Sequence, residues 1–239
     1  MRKTLLPHLA ANAVLLALGY YWLGIGESHT LTLVWSLFLA AFIFGMTCWV
    51  YGASLVSSGA QQAWRTSFRH LPAFAAAVLV LACIYGLLSL FAIRSRQPAF
   101  QLASWLTLQL RKPVRPTATA EAFNLVIGLV RWVLLPVFCM PVLASAANSG
   151  WQGFRAFGAN LRNLRLWVLT PLLLLAAFRA PMLLLAWVPR VHGFGLESLS
   201  FALRALLAYL LFGGAWLALV FVTSGGKPRF TQPKTANSP

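Results

Sequence analysis

Phe123–Ala147 reads FNLVIGLVRWVLLPVFCMPVLASAA, and Leu166–Pro189 reads LWVLTPLLLLAAFRAPMLLLAWVP. At about 1.5 Å per helical residue, runs of this length cross a hydrocarbon core of roughly 30 Å. Each holds an arginine inside its apolar run, Arg131 and Arg179, and each contains prolines (Pro136 and Pro141; Pro171 and Pro181, with Pro189 at the end). A guanidinium keeps its charge and is costly in hydrocarbon, so an arginine there marks a functional candidate. Proline removes a backbone donor and frees a carbonyl, which bends a helix and leaves polar groups in need of partners.

The rest of the chain has the same character. Of 239 residues, 60% are hydrophobic and only 9% charged, with a mean hydropathy of +0.76. A soluble domain averages about 25% charged residues, so this composition requires surroundings without water. The expected fold is an all-α polytopic membrane protein of about six transmembrane helices with short interfacial amphipathic helices. Residues 1–224 form one transmembrane domain, and 225–239, polar and without an apolar pattern, a disordered tail.

Four more spans complete the set. Leu9–Leu23 follows Arg2 and Lys3 and ends in Tyr20, Tyr21 and Trp22, so it reads as an uncleaved first span rather than a signal peptide. Thr30–Tyr51, Pro72–Ile93 and Leu199–Val222 are the others. Small residues four apart, Ala41 with Gly45 and Ala82 with Gly86, predict close packing between the second and third spans. Gln61–Leu71 places Trp64, Phe68 and Leu71 on one helical stripe, with Arg65 and Arg69 off it. Asn148–Arg165 repeats the design: Trp151, Phe154, Phe157, Leu161 and Leu164 on one face, Arg155 and Arg162 on the other. Rings in the acyl boundary and cations on phosphate describe a helix lying in the headgroup plane. The plainer alternative is an elbow that only aims the next span. Both linkers fall on the same side, which suggests a parallel duplication of weak residue-level match.

The charge is lopsided, 19 Lys+Arg against 3 Asp+Glu, formally +16. Simple alternation puts Arg2, Lys3, Arg65, Arg69, Arg155, Arg162, Arg165, Lys227, Arg229 and Lys234 on one side. Arg94, Arg96, Arg111, Lys112, Arg115 and Arg190 fall on the other. The larger set points to cytoplasmic N- and C-termini in a plasma (inner) membrane, against a sizeable exception in Arg94–Thr119. Within that exception Phe100–Leu110 is too short to span, and its alternating leucines resemble a strand more than a helix. These cations lie beside apolar runs rather than in a separate basic domain, so the expected partners are anionic membrane lipids and other membrane subunits, not nucleic acid.

Enzyme signatures are weak. The chain has no aspartate, and Glu27, Glu121 and Glu197 sit at edges or turns, so paired-carboxylate chemistry lacks its groups. Cys48, Cys83 and Cys139 lie in apolar runs, and His8, His29, His70 and His192 are isolated, so no metal or other cofactor is expected. Gly52-Ala53-Ser54 is a G-x-S tripeptide without an orienting base nearby. The expectation is a non-catalytic membrane scaffold or subunit with its basic linkers, Arg65, Arg69, Arg155, Arg162 and Arg165, on anionic headgroups. The alternative is a transporter or channel-like protein for an anionic or amphipathic solute. For it Arg131, Arg179 and Arg204 are the candidate anion or lipid-phosphate contacts: Arg131 and Arg179 would face a cleft or snorkel, and Arg204 would anchor at an interface.

Overall fold

The computed structural model describes residues 2–26, 29–56, 60–156, 164–189 and 193–223. They form ten α-helices: α1 (Arg2–Leu23), α2 (Thr30–Leu55), α3 (Ala60–Arg69), α4 (Leu71–Arg94), α5 (Arg96–Leu110), α6 (Pro116–Leu129), α7 (Leu135–Ser149), α8 (Leu164–Leu174), α9 (Ala180–Ala186) and α10 (Phe194–Thr223). A π-helical turn, Val130–Leu134, joins α6 to α7, and a second, Leu175–Arg179, joins α8 to α9. A 3₁₀ segment, Gly150–Ala156, follows α7. Six helical stretches are long and apolar enough to cross a bilayer, Leu6–Leu23, Thr30–Leu55, Leu71–Arg94, Pro116–Arg155, Leu164–Ala186 and Phe194–Thr223. The chain is an all-α, multi-pass integral membrane protein. The tail 225–239 lies outside the described residues.

Packing is concentrated at the end of the bundle where α1 begins, called here the proximal face. Cys48, Leu55, Val56, Ala63, Phe74, Ala77, Met140, Leu143, Ala146, Leu219 and Val220 form the buried core. They come from the end of α2, from α3, from the start of α4 and from the ends of α7 and α10. Away from this core the spans are barely enclosed. Only 6% of the apolar stretch of α4 and 11% of that of α1 are buried. Hydrocarbon is as apolar as leucine, so nothing drives these faces inward as water would.

Polar groups in the proximal core serve local backbone. Asn148 donates to the Leu55 carbonyl at 3.2 Å, covering the end of α2, and to Ala144 at 2.6 Å. Trp216 Nε1 donates to Ser54 Oγ at 2.9 Å, and that hydroxyl donates to the Tyr51 carbonyl at 2.6 Å. Ser54 is therefore a packing hydroxyl of the Gly52-Ala53-Ser54 stretch. Gly52 is needed because a Cβ there would lie 2.6 Å from Ser67 Oγ.

The predicted glycine packing is corrected. α2 and α4 do touch, but at Gly52 and Phe74 (3.6 Å from a Cβ at that glycine), not at Gly45 or Gly86, which face open space. The two linkers come out differently. The first, α3, is a short amphipathic helix that sets Ala63 and Ser67 against the bundle and leaves Phe68, Arg65 and Arg69 exposed. Trp64 meets Trp49 edge-on at 5.3 Å. The second linker is not one continuous amphipathic helix. Gly150 adopts φ +62, which only glycine tolerates with its ψ of −135, and the chain turns back on α7. Gly153 lies so near α7 that a Cβ would sit 2.4 Å from the Ala146 nitrogen. Trp151 and Phe154 stack at 5.8 Å, the i,i+3 eclipse of a 3₁₀ turn. Phe157, Leu161 and Arg162 lie outside the described residues.

The strand-like reading of Phe100–Leu110 is also corrected, because the segment is the body of α5. Its buried residues are Ala99 and Ala103, four apart, with Leu106 half-buried one turn on, a helical spacing hidden by the alternating leucines. Ala99 and Ala103 are fully buried, and Thr119 of α6 donates to the Ala99 carbonyl at 3.0 Å. Contacts between the two legs step 70/150, 85/131, 89/131 and 99/119, one antiparallel register from His70 to the tip at Arg111–Arg115. Backbone bonds pass through Ser95, from its N–H to Phe91 (2.8 Å) and from Ala99 N–H to Ser95 (3.0 Å), so α5 prolongs α4. With 15 residues, α5 adds about 22 Å to a helix already long enough to span. The basic segment 94–119 is the distal arm of this hairpin.

Candidate functional site

Both π-turns are built alike. In each, one i→i−5 bond closes (Leu135 N–H to Val130, Ala180 N–H to Leu175), and the next residue is proline, Pro136 or Pro181. A proline ring clashes with the carbonyl four residues back, and widening the turn relieves that contact. An arginine sits in each widened turn: Arg131 second in the first, Arg179 last in the second.

The two turns face one another. Trp132 and Phe178 rings meet at 6.1 Å, and Phe138 and Trp167 at 6.3 Å further along the same antiparallel pair of spans. Arg131 and Arg179, each next in sequence to a residue of the first pair, therefore lie at one level of the bundle. Phe178 also packs on Phe212 of α10 at 5.8 Å.

Arg131 is held from α4. In the π register the proline that follows would have bonded the Arg131 carbonyl but has no N–H to give. Tyr85 Oη donates to that carbonyl instead, at 2.8 Å. The Arg131 side chain runs toward the distal face, as side chains lean toward the N-terminus of their helix. There Nη2 donates to Ser89 Oγ at 2.5 Å, one turn beyond Tyr85. Ser89 in turn donates to the Tyr85 carbonyl at 2.8 Å. The loop is closed, and the guanidinium is fixed rather than free to wander. Yet Arg131 Nε is buried with no partner, and among the described residues no carboxylate reaches the charge.

Arg179 is exposed on the outer surface of its span and has no partner among the described residues. Arg204 has a structural task. It donates to the Trp187 carbonyl and to the Leu185 carbonyl (3.4 Å) at the end of α9 and to Ser200 (3.2 Å). Its cation lies 6.0 Å from the Phe201 ring. A cation on the last carbonyls of a helix satisfies orphan acceptors and opposes the dipole. The other predicted cations separate by face. Arg65, Arg69, Arg155 and Arg165 are exposed at the proximal face; Arg94, Arg96, Arg111, Lys112 and Arg115 are exposed along the distal arm.

Sequence reasoning missed Tyr85 and Ser89. Their spacing of four on an apolar helix was the available signal. It also missed Thr170, 0% exposed with its hydroxyl unpartnered, ahead of Pro171. No protein-family model, curated protein or solved structure matches this chain.

Proposed function

We propose that this membrane protein is a non-catalytic scaffold or subunit that sits among anionic lipids in a plasma (inner) membrane and offers its thinly enclosed spans to other membrane subunits. One observation carries the reading: exposed Arg65, Arg69 and Arg155 gather at the proximal face beside Trp64 and Trp151. Cations next to interfacial rings are what a surface resting on anionic headgroups requires. The wide apolar flanks of α1 and α4 supply lateral surface for lipid or partner helices. Buried polar groups near the core bond backbone carbonyls, and among the described residues they line no continuous polar path, which favours a scaffold over a conduit. The test is lipid retention. Purified protein should carry anionic phospholipid, read by native mass spectrometry, and Arg65→Gln/Arg69→Gln/Arg155→Gln should lose most of it. Equal retention by the triple variant refutes the reading.

The paired π-turns favour a second reading, movement of an anionic or amphipathic solute past Arg131 and Arg179. π-turns in membrane spans often accompany function. Arg179→Leu separates the two. A scaffold inserts and folds as well or better without that charge, whereas a transporter folds but loses flux in proteoliposomes.

A further inference from the structure

The closed hydrogen-bond loop around Arg131 leaves a specific deficit. A guanidinium carries five N–H donors and one full charge. Here one donor is spent on Ser89, the Nε donor is sealed without a partner, and Nη1 makes no bond among the described residues. Ser89 and Tyr85 contribute dipoles only. A cation in low dielectric is tolerable when an anion completes it. With Nε sealed, the edge left for an oxyanion is the one formed by Nη1 and the second Nη2 N–H, whose spacing matches the paired oxygens of a phosphate.

The location says where that anion comes from in general terms. Ser89 lies five residues before Arg94, the last residue of α4, so the guanidinium sits about 8 Å along the helix from its distal end. Arg94 and Arg96, both exposed, follow at that end. Their positive charge at that end favours approach of an oxyanion from the distal side.

We propose that Arg131, oriented by Ser89 and Tyr85, is the seat of a phosphate oxyanion where α4 meets the first π-turn. The phosphate belongs to an anionic phospholipid headgroup or to a free inorganic ion. The seat does not depend on the scaffold reading, because it uses none of the proximal arginines.

The test uses full-length protein in a maltoside detergent, in the Arg65→Gln/Arg69→Gln/Arg155→Gln background so that proximal headgroup binding is removed. Thermal shift and native mass spectrometry follow titration with phosphatidylglycerol, inorganic phosphate and, as the phosphate-free lipid, diacylglycerol. One saturable site per chain is expected for phosphatidylglycerol or phosphate, and none for diacylglycerol. Arg131→Leu should weaken that site at least tenfold, and Ser89→Ala several-fold. Saturation by inorganic phosphate identifies a free ion, and saturation by the lipid alone identifies a headgroup; either, if dependent on Arg131, supports the seat. Binding unchanged in Arg131→Leu, absence of a saturable site, or a co-purifying chain that occupies Arg131 in place of phosphate overturns it. Should Arg131→Leu fail to fold, Ser89→Ala and Arg131→Lys, which keep the charge, decide by the same titrations.

Discussion

Tyr85 and Arg131 support each other across the contact between α4 and the first π-turn. The phenol donates to the Arg131 carbonyl at 2.8 Å, and the Arg131 side chain climbs one turn of α4 to Ser89. The first bond satisfies a carbonyl that Pro136 cannot serve, and the second positions a charge. Tyr85→Phe removes only the first. Hydrogen bonds between membrane helices average about 0.6 kcal/mol and reach about 1.7. The expected loss is in that range, read as a lowered midpoint for unfolding in detergent. A variant as stable as the parent would mean that the Arg131 carbonyl is served otherwise.

Glycine substitutions separate real helix contacts from sequence patterns. Gly153→Ala places a Cβ 2.4 Å from the Ala146 backbone nitrogen, where no flexible side chain can yield. Overpacking of this kind costs about 1–3 kcal/mol or more. Gly45→Ala and Gly86→Ala meet nothing within 4 Å. They should be neutral, or stabilising by up to about 1 kcal/mol from helix propensity. Thermal unfolding of the three variants should rank Gly153→Ala lowest by a clear margin.

Arg204 should behave as a helix cap. Arg204→Ala leaves the carbonyls of Leu185 and Trp187 without their donor, at a cost of about 1–2 kcal/mol. Arg204→Lys should recover part of it, since an ammonium still donates there. Hydrogen exchange in α9 should quicken in Arg204→Ala and fall between that variant and the parent in Arg204→Lys. Equal exchange in all three would refute the capping role.

The membrane architecture was legible because solvent dictates it. Runs such as Thr30–Tyr51 and Leu199–Val222 have nowhere to go but hydrocarbon, and they make up most of α2 and α10. Their ends were less legible: α10 begins at Phe194, because polar Glu197 and Ser198 suit a first turn as well as a loop. α5 was misread because its leucines alternate while its buried stripe is made of alanines, which hydropathy barely registers. The folding back at Gly150 was invisible because the aromatic spacing of Trp151 and Phe154 fits an α-helix and a 3₁₀ turn alike.

Of the candidate site, the arginines and prolines were visible and their arrangement was not. Arg131, Arg179 and Arg204 read alike as sequence, each a cation in an apolar run. Only the packing shows that Arg204 is spent on carbonyls, that Arg179 faces outward, and that Arg131 is fixed with a donor unsatisfied. Tyr85 and Ser89 contribute through a register that runs across forty-odd residues of sequence, which no local pattern records.

The account rests on six crossings that place Arg65 and Arg155 on one face and the hairpin arm on the other. The most direct measurement is labelling by a membrane-impermeant maleimide, in oriented vesicles, of single cysteines introduced as Arg65→Cys, Arg155→Cys and Gln101→Cys after replacement of Cys48, Cys83 and Cys139. The predicted result is that Arg65→Cys and Arg155→Cys react from the same side and Gln101→Cys only from the opposite one. Reaction of all three from a single side would contradict it.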